Sequence, residues 1–198
     1  MNDQIVWQTD VLPPSLCELL LSEQVHGDWG SGLIGAGSGS TVEDKSVRDA
    51  TIHWLASEHW LSVLMAAAVC AINDRFFYVE ITDQEAVQLT KYQVGGHYSW
   101  HYDQLDCPYE GDNHPEWSGK IRKLSAILQL SDPTQYKGGD VLAQEAYGRI
   151  LNGYERGEDW KRQGSLLVFP STLQHCVAPV RAGVRVSAVL WTLGPPWR

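Results

Sequence analysis

The sequence predicts an α+β fold in which two N-terminal helices support a run of short strands packed as a sandwich or barrel. Three observations predict it. Helical spacing of apolar residues is confined to two stretches before residue 75. From residue 86 onward the pattern becomes strand-like, broken by Gly, Pro, Asn and Asp. No internal repeat is visible.

With 198 residues the chain is long enough for one sizeable core and short for two. Residues 1–198 therefore read as one domain, with helical support over about 1–80 and the strand core over about 86–193. Its 43% hydrophobic and 20% charged residues are those of an ordinary globular protein. The net charge of −9 offers no basic field to a phosphate backbone, which disfavours a nucleic-acid partner. No apolar run reads as long enough to span a bilayer, and the first seven residues lack the regions of a secretory signal, so no membrane partner is expected. Cys17, Cys70, Cys107 and Cys176 lie far apart and match no zinc-ribbon spacing. They are expected to be reduced, two of them buried in helices as small apolar residues, in a cytoplasmic protein.

Residues 5–9 read as an opening strand. Pro13-Pro14-Ser15 then starts a helix over about 14–25, with Pro in the first turn where no N–H is needed. Leu16, Leu19, Leu20 and Val25 form its expected apolar face. From His26 to Ser40 Gly, Ser and Ala dominate, and no Gly-Lys-Ser/Thr follows, so this is a flexible loop rather than a phosphate loop. Ser57 is the expected N-cap of a second helix that reaches Asn73, apolar round much of its circumference and so packed on a sheet. Strands follow at 86–93, 97–103, 121–130, 138–142, 165–170, 173–180 and 184–193, with long insertions at 104–119 and 143–163.

Candidate chemistry sits on these strands. In His101-Tyr102-Asp103 an imidazole and a carboxylate two apart leave the same face of a strand, with Tyr102 turned the other way into packing. His175, after an apolar strand, completes a set of two histidines and one carboxylate. That set covers one face of an octahedral metal and leaves three positions open, which suits non-haem Fe(II), although zinc binds the same residues. Ten residues on, Arg185, Ser187, Val189 and Trp191 share one strand face while Val184, Val186, Ala188 and Leu190 form a wholly apolar second face. An inward Arg needs an anion, and its planar fork suits a carboxylate, either an Asp or Glu of the chain in a structural salt bridge or one held from outside. Gln129, with Ser125 and Ile127 on the same strand face, is placed to line that pocket.

The pattern Tyr92-x-x-Gly95-x-x-Tyr98-x-x-His101-x-Asp103, then His175, then Arg185-x-Ser187 resembles the prolyl-4-hydroxylase branch of the Fe(II)- and 2-oxoglutarate-dependent dioxygenases. Arg122-Lys-Leu-Ser125, Leu130-Ser-Asp132, Tyr136-x-Gly-Gly139, Phe169-Pro-Ser171 and Pro179-Val-x-x-Gly183 support the resemblance in order. It implies a double-stranded β-helix (jelly-roll) core, Fe(II) held by His101, Asp103 and His175, and O2 as oxidant with ascorbate as reductant. It also implies 2-oxoglutarate on Arg185, Ser187 and Tyr92, and a substrate near Arg122, Trp191 and Tyr98. Arg185 stands where many animal procollagen enzymes have Lys, which brings the chain closer to the oxygen-sensing and bacterial prolyl hydroxylases. The implied substrate is a proline-containing peptide or protein. The alternatives are a free amino acid or other small molecule, a non-catalytic cupin-type metal site, and a nucleic-acid dealkylase. The acidic balance argues against the last, and an anion pocket against the cupin. In the first insertion Asp106, Glu110, Asp112 and Glu116 form an acidic rim.

Overall fold

Alternation along the C-terminal strands is realised as two antiparallel sheets whose inner faces meet over the candidate site. The protein is described here by a computed structural model, which covers residues 5–24, 27–35, 41–104, 107–110, 114–145 and 148–197. The chain begins with β1 (Val6–Gln8), α1 (Pro14–Glu23), β2 (Gly30–Ser31), β3 (Ile34–Gly35), β4 (Thr41–Val42), β5 (Arg48–Asp49), β6 (Thr51–Trp54) and α2 (Trp60–Ile72). It continues with β7 (Asp83–Gln84), β8 (Gln88–Tyr92), β9 (His97–His101), β10 (Ile121–Gln129), β11 (Lys137–Gly138) and β12 (Val141–Gln144). It closes with β13 (Ile150–Leu151), α3 (Gly153–Arg156), β14 (Leu166–Pro170), β15 (Gln174–Val177), β16 (Val180–Ala182) and β17 (Arg185–Gly194).

The larger sheet runs β1-β14-β10-β17-β8-β6-β2, with β7 also paired to β17, and the smaller runs β13-β12-β15-β9-β5. This is the jelly-roll core. On the larger sheet one residue in two faces the helices. Leu124, Ala126 and Leu128 of β10, Leu166 and Val168 of β14, and Val186, Ala188 and Leu190 of β17 join Leu20 of α1 and Leu61, Met65 and Val69 of α2 in the main core. The alternate residues face the smaller sheet. Register fixes them in rows: Gln129 opposite Ser187, Ile127 opposite Val189, and Arg185 opposite Tyr92. Val184 departs from the predicted apolar face, because it precedes the strand and is exposed.

The N-terminal region differs most from expectation. It is not helical support alone: β6 lies in the larger sheet and β5 forms an edge of the smaller. These strands are two and four residues long, too short for periodicity to declare them. In α1, Cys17 and Leu20 are buried while Leu16 and Leu19 are exposed; Val25 lies outside the described residues, as do residues 36–40 of the Gly-rich run. Helix α2 is capped by His59, whose Nδ1 accepts the Leu61 N–H, and not by Ser57, whose hydroxyl donates to Glu58. Cys70 of α2 is exposed rather than buried. Residues Trp60–Phe77, contrary to expectation, are apolar and long enough to cross a membrane by length and composition. Here Leu61, Met65, Val69 and Ile72 pack in the main core instead.

Candidate metal centre and anion pocket

Three side chains from two distant stretches of the sequence converge between the sheets. Strands β9 and β15 are neighbours with His101 opposite His175, and one ligand atom each from His101, Asp103 and His175 lies within 4.8 Å of the others. The Asp103 carboxylate oxygens stand 3.5 Å from Nε2 of His101 and of His175. Each imidazole has its other nitrogen against a carbonyl: Nδ1 of His101 lies 2.7 Å from the Ser99 oxygen, and Nδ1 of His175 lies 3.0 Å from the Leu173 oxygen. A carbonyl only accepts, so Nδ1 carries the proton and Nε2 presents its lone pair inward. Burial opposes ionisation of Asp103, but the surrounding imidazoles and Arg122 hold its carboxyl well below the usual range. Burial pushes His175 down to about 4. A neutral imidazole and an ionised carboxylate are the forms a cation requires.

The route to this geometry corrects the sequence reading in one respect. Strand β9 ends at His101, so Asp103 stands beyond the strand, in a bend. Its position is set by Ser171, whose carbonyl accepts the N–H groups of Asp103 and Gln104. The Ser171 hydroxyl is 2.9 Å from that of Ser125, which therefore braces this corner instead of lining the pocket. Tyr102 faces solvent rather than packing.

The pocket beside these ligands is lined by Tyr92, Tyr98, Ile127, Arg185, Ser187 and Trp191, among others. Arg185 is 1% exposed. Its Nη2 donates to Gln129 Oε1 at 2.9 Å, while Nε and Nη1 are buried without a partner. The nearby Tyr136 hydroxyl is also buried and unpartnered. These buried groups, side by side, lack one thing, an acceptor with several lone pairs, and a carboxylate supplies it. Gly139, at φ +64, has no Cβ to press on Arg185; a Cβ there would lie 2.9 Å from its Cδ. Tyr98 stacks on His101 at 3.5 Å between centroids, and burial pushes its phenol up to about 12.

Arg122 is the predicted residue the pocket does not use directly. Its fork is held by Glu85 in a two-point pair, its Nη1 reaches the Asp103 carbonyl at 3.3 Å, and its plane lies 4.0 Å over Trp191. Glu85 also accepts the Tyr109 hydroxyl, which ties the first insertion to this brace. Glu110 and Glu116 of the proposed rim are exposed, whereas Asp106 and Asp112 lie outside the described residues.

Sequence reasoning missed Arg48, Gln88 and Thr90, all pocket-lining, and Tyr136 and Ser171. Gln88, Thr90 and Tyr92 alternate with Val87 and Leu89 of the core, so the polar face of β8 was legible by the logic applied to β17. Arg48 carried no such signal.

Known proteins resemble this chain. A PKHD-type hydroxylase YbiX of Shigella sonnei is 34% identical over 101 residues, 51% of this chain and 40% of the relative. That of Escherichia coli (strain K12 / DH10B) is 33% identical over the same span. The chain thus matches about two fifths of these relatives' length. Among solved structures, a Pseudomonas putida prolyl-4-hydroxylase superposes with TM-score 0.68 at 24% identity, covering 96% of this chain and 92% of that one. A Trichoplax adhaerens prolyl hydroxylase, in complex with a hypoxia inducible factor oxygen degradation domain peptide fragment, gives TM-score 0.71 at 18% identity, covering 96% and 83%. At these identities the superpositions establish the fold. The family model of the 2OG-Fe(II) oxygenase superfamily matches residues 87–193, from the strand before Tyr92 to the end of β17, and the chain belongs to that superfamily.

Proposed function

We propose that this protein is an Fe(II)- and 2-oxoglutarate-dependent dioxygenase that hydroxylates a prolyl residue of a peptide or protein. The observation that carries the reading is one juxtaposition. Two imidazoles and a carboxylate with their lone pairs turned inward adjoin a buried guanidinium two of whose nitrogens, Nε and Nη1, lack an acceptor. His101, Asp103 and His175 would hold the ferrous ion on one face, leaving three adjacent positions. Arg185, with Gln129, Ser187, Tyr92 and Tyr136 around it, would receive the far carboxylate of 2-oxoglutarate. Bound there, iron and 2-oxoglutarate supply the oxidising chemistry, in which O2 and 2-oxoglutarate are consumed, succinate and CO2 are released and a C–H becomes C–OH.

This chain's residues perform the rest. Tyr98 fixes the plane of His101, and the Ser171 and Arg122 contacts hold the backbone of Asp103. Ile127, Val189 and Trp191 line the pocket with apolar surface that limits water. The prolyl part of the reading is supported by fold neighbours named as prolyl hydroxylases, one of them with a bound peptide fragment. Ascorbate is proposed as the reductant that keeps the iron ferrous. A cytoplasmic location is proposed with it, on four unpaired cysteines.

The test is succinate release from 2-oxoglutarate with added Fe(II) and ascorbate across proline-containing peptides, with mass spectrometry for a gain of one oxygen. Asp103→Ala should abolish turnover and leave the metal-free protein folded. Absence of succinate with every peptide, in a protein that retains zinc tightly, would overturn the reading in favour of a non-catalytic metal site. Free amino acids in the same assay test the small-molecule alternative.

A further inference from the structure

The pocket contains a second buried guanidinium that neither metal ligation nor cosubstrate binding uses. Arg48, on β5, is 7% exposed and lines the same pocket as the three candidate ligands. Its guanidinium lies 4.8 Å over the ring of Tyr98, whose own ring stacks on His101. Its hydrogen bonds go to neutral oxygens: Nη2 donates to Gln88 Oε1 at 2.6 Å, and Nη1 to the Leu33 carbonyl at 3.0 Å. Nε is buried and donates to nothing. The ion pairs of the described residues involve other cations, and none places a carboxylate on Arg48. Arg122, the third guanidinium in this region, differs in being neutralised by Glu85.

A buried charge without a counter-charge is costly unless something arrives to match it. With the pocket filled as proposed, the divalent metal, Arg185 and Arg48 contribute four positive charges. Asp103 and the two carboxylates of 2-oxoglutarate contribute three negative ones, and the histidines, as ligands to the metal, add none. One positive charge stays unmatched. Since Arg185 is assigned to the cosubstrate, the unmatched one is Arg48.

We infer that Arg48 is a substrate-binding residue that recognises a carboxylate on the molecule to be hydroxylated. The carboxylate has two possible sources: the α-carboxylate of a free amino acid or C-terminal residue, or the side chain of an acidic residue beside the proline. The inference rests on the Fe(II)/2-oxoglutarate reading of the pocket and narrows its substrate to an anionic class. A neutral segment from the middle of a peptide leaves the charge as it stands. A carboxylate matches it and gives the remaining N–H donors charge-assisted bonds. Stacking on Tyr98 holds the guanidinium plane, an arrangement that a lysine ammonium does not reproduce.

The test compares three probes on zinc-loaded protein saturated with 2-oxoglutarate: N-acetylproline, N-acetylprolinamide and acetyl-Asp-Pro-amide. Binding is followed by tryptophan fluorescence, because Trp191 lines the pocket. A carboxylate probe should bind the parent about tenfold to a hundredfold more tightly than the neutral amide. Arg48→Met should bring the acids to the level of the amide, and Arg48→Lys should keep only part of the preference. Preference for N-acetylproline assigns the α-carboxylate, and preference for acetyl-Asp-Pro-amide assigns the side chain. The inference is overturned if the amide binds as tightly as both acids, if no acid binds up to millimolar concentration, or if Arg48→Met keeps the preference. It is also overturned if Arg48→Met weakens 2-oxoglutarate as much as loss of Arg185 does, since Arg48 would then belong to the cosubstrate. Binding of 2-oxoglutarate is measured first. If it fails, the pocket reading fails, and the same probes without 2-oxoglutarate still decide the role of Arg48. Melting temperatures of both variants confirm that they fold.

Discussion

Replacing Arg185 by Met should stabilise the ligand-free protein and blunt its response to 2-oxoglutarate. Without ligand, Arg185 is a cation at 1% exposure with two donors, Nε and Nη1, that have no partner. Each such donor costs about 1–3 kcal/mol. Met fills much of the same length with apolar atoms and removes both, but strands the Gln129 acceptor, which returns about 1 kcal/mol of cost. The ligand-free variant should therefore be more stable than the parent by roughly 1–5 kcal/mol, in line with apolar replacement of buried charges elsewhere. Ligand shifts the comparison back towards the parent by about 2.3 kcal/mol. At a 2-oxoglutarate concentration of about a hundred times the parent Kd, binding adds about 2.7 kcal/mol to the parent. A fork-to-carboxylate contact is worth about a hundredfold in affinity, so the variant at that concentration gains only about 0.4 kcal/mol. Urea unfolding of zinc-loaded protein with and without 2-oxoglutarate measures both, since zinc supports no turnover. A variant less stable than the parent without ligand, or one stabilised equally by 2-oxoglutarate, would refute the argument that the guanidinium awaits an anion.

Tyr136→Phe removes the third orphaned donor; 2-oxoglutarate affinity should fall about tenfold with zinc affinity unchanged, as read by calorimetry. Gly139→Ala forces a Cβ to 2.9 Å from Arg185 Cδ at a φ of +64; it should lower stability by about 1–2 kcal/mol and weaken 2-oxoglutarate more than metal. The metal-free protein should lose stability as pH falls. His175 has its ordinary value of 6.5 when unfolded and about 4 when folded, so below 6.5 the unfolded chain binds the proton more readily. That stability is complete above pH 6.5 and is lost towards pH 4, by a quantity on the order of 3 kcal/mol. Urea titrations at stepped pH check it, and His175→Gln should flatten the slope.

What was legible in the sequence followed period-two alternation on long strands. β17 and β10 are long enough that a polar residue at every second place stands out against Val, Ala and Leu. The positions of Arg185, Ser187, Gln129 and Trp191 could therefore be read as one wall. The ligand triad was legible for another reason: three residue types with one shared chemistry exhaust few alternatives. What stayed hidden depends on contacts without a local period. β5 has two residues, and nothing in Val47-Arg48-Asp49 distinguishes a buried guanidinium from a surface one; only pairing of Arg48 with Tyr98 across β5 and β9 brings it inside. Asp103 was found for a partly mistaken reason. The strand that was to carry it stops at His101, and the carboxylate is placed by two N–H bonds to Ser171 from a different sheet.

That difference has a physical consequence for the site. A ligand fixed by its own strand moves only with the sheet, whereas Asp103 is held from Ser171 on one side and Arg122 on the other. Arg122 is itself held by Glu85, and Glu85 by Tyr109 of the first insertion. A continuous set of hydrogen bonds thus joins the insertion to one candidate metal ligand, while the two histidines, each in a sheet strand, lie outside it. Movement of the insertion would reach the backbone of Asp103 through Arg122. Substrate contact there would be felt first as a change in how one of the three candidate ligands meets the ion.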